Sequence, residues 1–281
     1  MSTDQPSGPR DWEGKSYDGL STPQQQMGND VLARLRPRLR GDEAVLDAGC
    51  GSGRVTAELL PLVPDGRVIG VDGSPSMIEQ ARHLLPAAVE LHVQDLAELV
   101  LDGPVDAIVS TATFHWLPDH ERLFSRLAAV LRPGGPFEAQ CGGAGNIASV
   151  DAAIDRLRER APWDVALTGW EGPWNFATPE DTSVRLEAAG FVDVRTWLEP
   201  RPVPLATEHE HAYLRTVVLG SHLARLPEVA HDDFVEAVRD ELRTDGAIVL
   251  DYVRLNISAT RAGGDAVVET EDEIAARLRG G

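Results

Sequence analysis

Val45-Leu46-Asp47-Ala48-Gly49-Cys50-Gly51-Ser52-Gly53-Arg54 runs from a short apolar stretch into a turn with glycine at every second position. The apolar part reads as a buried strand and Thr56 to Leu62 as the helix that follows. Glycine at 49, 51 and 53 lets the backbone bend sharply and approach a ligand closely, because a side chain there would obstruct both. The stretch therefore predicts strand, ligand-cradling turn and helix, the opening unit of a doubly wound sheet. A tight strand-to-helix turn with no ligand would use the same glycines, so the next elements have to decide.

Working outward, Arg67 to Val71 reads as a second strand, and Asp72 follows it directly. That acid stands about 20 residues beyond the glycines, where a doubly wound fold places the carboxylate that accepts hydrogen bonds from a ribose diol. Its plainer role would be to cap the next helix, Ser76 to Leu85. Strands follow at Val89 to Val93 and Val105 to Ser110, then a helix at His120 to Leu131 and a strand at Pro136 to Gln140. This alternation predicts an α/β fold with parallel strands buried under helices on both faces.

The remaining segments divide around that core. Residues 1–40 read as an N-terminal lid and a helix, with Met27, Val31, Leu32 and Leu35 at helical spacing, and residues 41–141 as the cofactor-binding core. A cap segment is expected at 142–177, a continuation of the core at 178–200, a helical cap segment at 201–246, a last core strand at 247–261 and a tail at 262–281. Thr178-Pro179-Glu180-Asp181 has the form of a capped helix start, and Gly190 ends that helix before a strand at Val192 to Trp197.

Composition narrows the partners. The chain has 281 residues and a formal charge of −19, which would repel a phosphate backbone, and no Lys/Arg stripe interleaved with aromatics is present, so nucleic acid is not expected as substrate. No run approaches the roughly 18 apolar residues of a membrane span, and the first ten residues are polar, so a cytoplasmic protein with no membrane partner is expected. Cys50 and Cys141 are the only cysteines and read as reduced thiols. A small-molecule partner is favoured by elimination, and a homo-oligomer is compatible with the sequence.

NAD and S-adenosylmethionine both carry an adenosine ribose, so Asp72 does not choose between them. The loop does: Asp47 would put negative charge beside a pyrophosphate seated on the helix N-terminus, whereas a carboxylate there suits a cofactor bearing an ammonium and a sulfonium.

Val45 to Gly53 resembles the first motif of class I S-adenosylmethionine-dependent methyltransferases, written [VIL]-L-D-x-G-C-G-x-G, and the resemblance extends over about residues 30–200. Val68 to Asp72 with Gly73, Ser74, Ser76 and Met77 is similar to the ribose-binding strand end and the loop beneath the adenine. Gln94-Asp95-Leu96 resembles the acidic turn after the third strand, which implies Asp95 as partner of the adenine amino group. Asp106 to Ser110 followed by Thr111-Ala112-Thr113-Phe114-His115-Trp116-Leu117 resembles the segment lining the methyl-transfer site, and Leu131-Arg132-Pro133-Gly134-Gly135 the turn before the fifth strand. Trp116 to His120, with Trp12 and Tyr17, look most like the trans-aconitate methyltransferase group.

The resemblance implies a Rossmann-like core and methylation of a small organic molecule, with secondary metabolism as one setting. The cofactor site would comprise Asp47, Gly49, Cys50, Gly51, Asp72, Gly73, Ser74, Met77, Gln94, Asp95, Leu96 and Thr111, with Tyr17 and Gln25 from the lid. Trp12, Phe114, His115, Trp116, Trp170 and Trp174 are the expected acceptor-binding residues. A carboxylate acceptor would need no base; a hydroxyl, an amine or an acidic carbon would need one, and His115 is placed for it, unless it only orients the acceptor. The aromatics at Trp163, Trp170, Trp174 and Phe176 could line an acceptor pocket or simply hold the cap together. His209 and His211 match no common zinc spacing, and no metal is expected. Two rivals remain: a protein of this fold that binds S-adenosylmethionine without methylating, for instance a cyclase, and an NAD-dependent oxidoreductase.

Overall fold

The computed structural model describes residues 22–243 and 246–263 of the chain. Its main sheet contains β1 (Ala44–Ala48), β2 (Arg67–Asp72), β3 (Glu90–Val93), β4 (Ala107–Thr111), β5 (Pro136–Gly142), β6 (Phe191–Pro200) and, after the two-residue strands β7 (Val203–Pro204) and β8 (Val249–Leu250), the long β9 (Val253–Arg261). The order is β3-β2-β1-β4-β5-β9-β6. The first five strands are parallel, and β9 is inserted antiparallel between β5 and β6. The segment expected as one last strand at 247–261 thus divides: β8 pairs with β7 in a separate ribbon, and β9 completes the sheet.

Ten α-helices are described, of which five cover the sheet. On one face, α1 (Thr22–Leu35), α2 (Arg54–Leu59) and α3 (Pro75–Leu84) bury Val31, Leu35, Leu59 and Ala81 against Val45, Val68 and Val109. On the other, α4 (His120–Val130), and after it α5 (Ala148–Arg158), α6 (Asp164–Leu167) and α7 (Pro179–Ala188), continue the chain. Leu123, Phe124 and Leu127 of α4 and Leu186 of α7 pack there on Leu46, Ala48, Ile69, Val71 and Ile108. Consecutive residues of β1 feed opposite cores, so a parallel strand covered on both sides reads as an unbroken apolar run. Side-chain caps start these helices: Thr178 accepts from Asp181 N–H, as the sequence predicts, and Ser74 accepts from Met77 N–H and Asp119 from Arg122 N–H.

The helix of the expected N-terminal lid, α1, is a packed layer of the core. A Cβ on Gly28 would stand 2.6 Å from Val55 Cγ2, so glycine lets α1 lie directly against the start of α2. The sheet under α1 is polar where β5 meets β9: Arg34 donates to Glu138, Asn256 and the Ala139 carbonyl, and Ser258 donates to the same Glu138. Glu138 is buried, and a buried carboxylate persists only with such partners. Gln25 lies within α1, whereas Trp12 and Tyr17 lie outside the described residues.

A second hydrophobic cluster gathers Val150, Ile154 and Leu157 of α5 with Leu214, Val218, Leu223, Phe234, Val235 and Val238 from the segment holding α8 (Glu210–Tyr213), α9 (Gly220–Leu223) and α10 (His231–Leu242). These are the two stretches expected as the cap, and a shared core supports reading them as one unit. Its polar anchor is Glu210, buried at the head of α8, which accepts from Arg239 Nε at 2.8 Å and Arg243 Nη2 at 2.7 Å. Glu210→Gln should lower the melting temperature by about 3 °C and leave cofactor affinity unchanged, as thermal unfolding with and without ligand would report. Among the described residues no helix is long and apolar enough to cross a membrane, and no group of three or more His, Cys, Asp or Glu side chains could hold a metal.

Candidate active site

The carboxyl ends of β1, β2 and β4 carry the loops singled out in the sequence. Gly49, Gly51 and Gly53 all have left-handed backbones, with φ of +84°, +54° and +87°, which favours glycine at each. Their surroundings differ. A Cβ on Gly49 would come within 2.1 Å of Thr113 Oγ1, and one on Gly53 within 2.8 Å of Leu85 Cδ1, whereas one on Gly51 would meet nothing within 4 Å. Gly49 and Gly53 thus serve packing within the chain, and Gly51 borders open space. The turn is tied to β2 by Gly49 N–H and Cys50 N–H, which both donate to the Val71 carbonyl.

Asp72 ends β2 and accepts Gly51 N–H at 2.9 Å on one oxygen and Ser74 N–H at 2.8 Å on the other. A carboxylate can accept about four hydrogen bonds, enough to hold a diol beside these backbone donors. Asp47 is fully buried beneath the turn, and Thr56 Oγ1 donates to its Oδ2 at 2.7 Å. Its Oδ1 has no partner among the described residues. Burial, opposed by the Thr56 bond and reinforced by the charge of Asp72, pushes its pKa up to about 7. Burial and these two carboxylates also hold the Cys50 thiol protonated.

These features test the cofactor expected from the sequence. An ammonium group would satisfy the orphaned Asp47 oxygen, Gly51 leaves room for a ligand where any side chain would intrude, and Asp72 suits a ribose diol. The residues fit S-adenosylmethionine. Ser74 caps α3 and Met77 is buried on its first turn. Asp95 caps a 3₁₀ turn by accepting Ala97 N–H, and Leu96 is buried in the main core.

Two residues are placed otherwise than the resemblance implies. The Gln94 amide is folded back on its own loop, donating to the Val100 carbonyl and accepting Val100 N–H at 2.6 Å, so it braces the turn. Phe114 is buried in the main core edge-on to Phe124, with ring centroids 5.9 Å apart, and so is no acceptor contact. The 3₁₀ turn over residues 114–116 buries Phe114 in the main core and His115 against Gly142 of β5.

His115 is buried, and its Nδ1 accepts Gly142 N–H at 3.2 Å. The neutral ring therefore carries its proton on Nε2 and presents a donor there. Burial first, then the charges of Arg254 and His120, hold its pKa well below the usual histidine range. Around it stand Phe176, stacked with centroids 5.9 Å away, Trp116 at 5.1 Å, and Trp174 behind both. Trp170 lies further out, packed on His222 in the cap.

Several residues that build this site carry no local signal. Asn175 N–H donates to the His115 carbonyl, and its side chain to the Pro118 carbonyl at 3.0 Å, which straps the cap to the turn after β4. Thr113 Oγ1 donates to the carbonyls of Thr111 and Gly49, so it locks β4 to the glycine turn. Arg254 comes from β9, more than a hundred residues away in sequence. Only the polar alternation Arg254, Asn256, Ser258 along an otherwise apolar strand hints at a special face.

Comparison with known proteins agrees with this geometry. Residues 45–135 match the family described as "Methyltransferase domain". The trans-aconitate 2-methyltransferase of Azoarcus sp. (strain BH72) is 30% identical over 273 residues, covering 89% of this chain and 99% of that protein. That of Methylobacterium nodulans is 28% identical, covering 89% and 98%. The YcgJ protein from Bacillus subtilis, at 17% identity, superposes with a TM-score of 0.59 over 84% of this chain and 100% of its own, a likeness of fold.

Proposed function

The chain belongs to the class I S-adenosylmethionine-dependent methyltransferases, near their trans-aconitate 2-methyltransferase group, and from that premise we propose that it methylates a carboxylate oxygen of a small organic acid. Membership sets aside the dinucleotide and non-methylating readings left open by the glycine turn. The cofactor, when bound, supplies a methyl group on a positively charged sulfur. The protein's task is to hold the acceptor in line with it, and such positioning can lower a barrier by about 7 to 11 kcal/mol.

The observation that carries the carboxylate reading is the tautomer of His115. With Nδ1 occupied by Gly142 N–H, its other nitrogen is a donor, and a neutral donor orients an anionic acceptor but takes no proton from it. A carboxylate arrives already deprotonated, so no base is needed. The aromatic wall of Trp116, Trp174 and Phe176 excludes water and strips the attacking oxygen of its hydration. Asp47, Gly51 and Asp72 are the residues proposed to hold the cofactor, with Asp95 and Met77 near its adenine.

The test is methyl transfer from labelled cofactor to a panel of acids, trans-aconitate among them, and to matched alcohols and amines. Base-labile label on the acids, with a turnover number flat between pH 6 and 9, is the expected result. Label that survives base, or a turnover number at saturating cofactor that rises with the titration of a single group near neutrality, would refute it.

A further inference from the structure

We propose that the open edge of β6 pairs with the same edge of a second copy of this chain, about a twofold axis at Trp197, so that the enzyme is a homodimer built on one continuous sheet. The proposal stands apart from the choice of acceptor and concerns a surface far from the glycine turn.

The backbone supplies the template. β6 lies at one end of the sheet, and β9 is its only ladder partner among the described residues. Arg201 N–H donates to the Tyr252 carbonyl, which continues the register that sets Trp197 opposite Asn256. Alternation then turns the backbone groups of Arg195, Trp197 and Glu199 toward β9, and those of Val194, Thr196 and Leu198 toward the open edge. The other side of β9 agrees: Gly143 N–H donates to the Val253 carbonyl, so odd-numbered residues of β9 face β5 and even-numbered ones face β6. Pro200, next in the outward row, has no N–H to leave unpaired. At its start the row is bounded by a bulge between Val192 and Arg195, where Asp193 has a φ of +53°. A row of outward N–H and C=O groups is a template for another strand.

The side chains choose the occupant and the register. A twofold axis can be centred on Arg195, Thr196, Trp197 or Leu198 with outward-facing residues still opposed. Centred on Arg195 it sets two guanidiniums face to face, on Thr196 it brings Glu199 against the acidic bulge residue Asp193, and on Leu198 it sets Arg195 against Arg201. Like charges directly opposite are destabilising. Centred on Trp197 it sets Arg195 against Glu199 of the second copy, twice by symmetry, and lays the two indoles side by side. Arg195 is exposed and has no side-chain partner among the described residues. Glu199 accepts from Arg201 Nε at 2.8 Å and Asn256 Nδ2 at 3.4 Å, and a carboxylate with capacity for about four bonds has room for a further donor. Trp197 is 38% exposed, with the Arg34 guanidinium 5.3 Å over its ring, and Leu198 is 37% exposed; the pairing covers both.

Symmetry and charge are compatible with function. β9 is antiparallel to both β5 and β6, so β6 runs in the direction of the parallel strands. Antiparallel pairing of two β6 strands therefore points the two carboxyl edges, with their glycine turns, in opposite directions, and each site keeps its own access. The overall charge of −19 is screened beyond about 8 Å at physiological ionic strength, whereas Arg195 and Glu199 meet in contact.

The experiment uses the full-length chain. Light scattering over a concentration series should give a mass rising from 30.4 kDa toward twice that value. Arg195→Glu sets like charges together at both ends of the pairing; it should raise the dissociation constant about 30-fold and leave turnover per chain unchanged. Trp197→Cys should form an intermolecular disulfide on mild oxidation, because only the residue on the axis meets itself, and a non-hydrogen-bonded pair holds its Cα atoms about 4.5 Å apart. Arg195→Cys should not. Cys50 and Cys141 are buried and take no part. Should a variant fail to fold, the unaltered protein decides, since exchange of the Thr196 and Leu198 amides must slow as concentration rises. A mass fixed at 30.4 kDa overturns the proposal, and protected Thr196 and Leu198 amides in such a monomer would assign the edge to residues 1–21 or 264–281 of the same chain. A dimer indifferent to Arg195→Glu, or one cross-linked by Arg195→Cys in place of Trp197→Cys, overturns it by putting the contact elsewhere. None of these readings involves methyl transfer, so the carboxylate assignment stands or falls separately.

Discussion

Asp72→Ala should weaken binding of S-adenosylhomocysteine on the order of 1,000-fold, because hydrogen bonds to a charged acceptor contribute about 1.5–3 kcal/mol each and two are expected from the ribose. A second loss compounds the first. The Asp72 carboxylate also accepts the N–H of Gly51 and that of Ser74, so it holds the glycine turn in the shape that leaves space over Gly51. Without it the turn must be ordered by the ligand itself, at an entropic cost. Asp72→Asn keeps one acceptor oxygen and should fall between the two. Titration calorimetry on the variants gives the answer, and a dissociation constant within 10-fold of the unaltered protein's would remove Asp72 from the cofactor site.

The division between what sequence could and could not predict follows from the range of the forces involved. The glycine turn is legible because its requirements are local: left-handed backbone at Gly49, Gly51 and Gly53, and a strand directly before it. Asp72 is legible because a doubly wound fold fixes its spacing from that turn. The cap at Thr178 is legible because it acts on a neighbour three positions away, whereas the helix after β2, for which Asp72 is the cap the sequence offers, is capped by Ser74.

Illegible are the features set by chain segments that meet only in the fold. His115 is singled out by its place after β4, but whether it is a base or a donor depends on Gly142 N–H, 27 residues on, and on Arg254. Phe114 beside it looks equally suited to a pocket, yet its ring belongs to the main core. Gln94 reads as part of a binding turn, and only the position of Val100 shows where its amide goes. The antiparallel insertion of β9 belongs here as well, since an apolar stretch near the end of a chain does not state its direction. It delivers Arg254 to the carboxyl edge of the sheet, opposite Gly142.

Asp47→Asn should separate stability from function in opposite directions, and pH should reveal it. The carboxyl group has a pKa of about 7 in the folded chain, against about 3.9 when unfolded, because burial outweighs the bond from Thr56. A raised folded value means that the native state binds the proton more tightly. The protonated form gives its full stability below about pH 4; that stability is lost as pH rises, and the whole penalty of a buried charge is present above pH 7. Three units correspond to a ceiling of roughly 4 kcal/mol, from which the new amide, with its own buried N–H groups, takes back about 1–3 kcal/mol. At pH 8.5 the ligand-free variant should therefore melt several degrees above the unaltered protein, and at pH 5 the advantage should vanish. Cofactor binding should show the reverse. The unaltered protein needs an ionised Asp47 to meet an ammonium, so its dissociation constant should fall about 10-fold from pH 6 to pH 8, while the variant binds about 100-fold more weakly with no such dependence. Adding S-adenosylhomocysteine at pH 8.5 should then invert the order of the two melting temperatures. Thermal unfolding at two pH values, with and without ligand, covers all four states, and an unchanged order on adding ligand would mean that the orphaned oxygen of Asp47 does not face the cofactor.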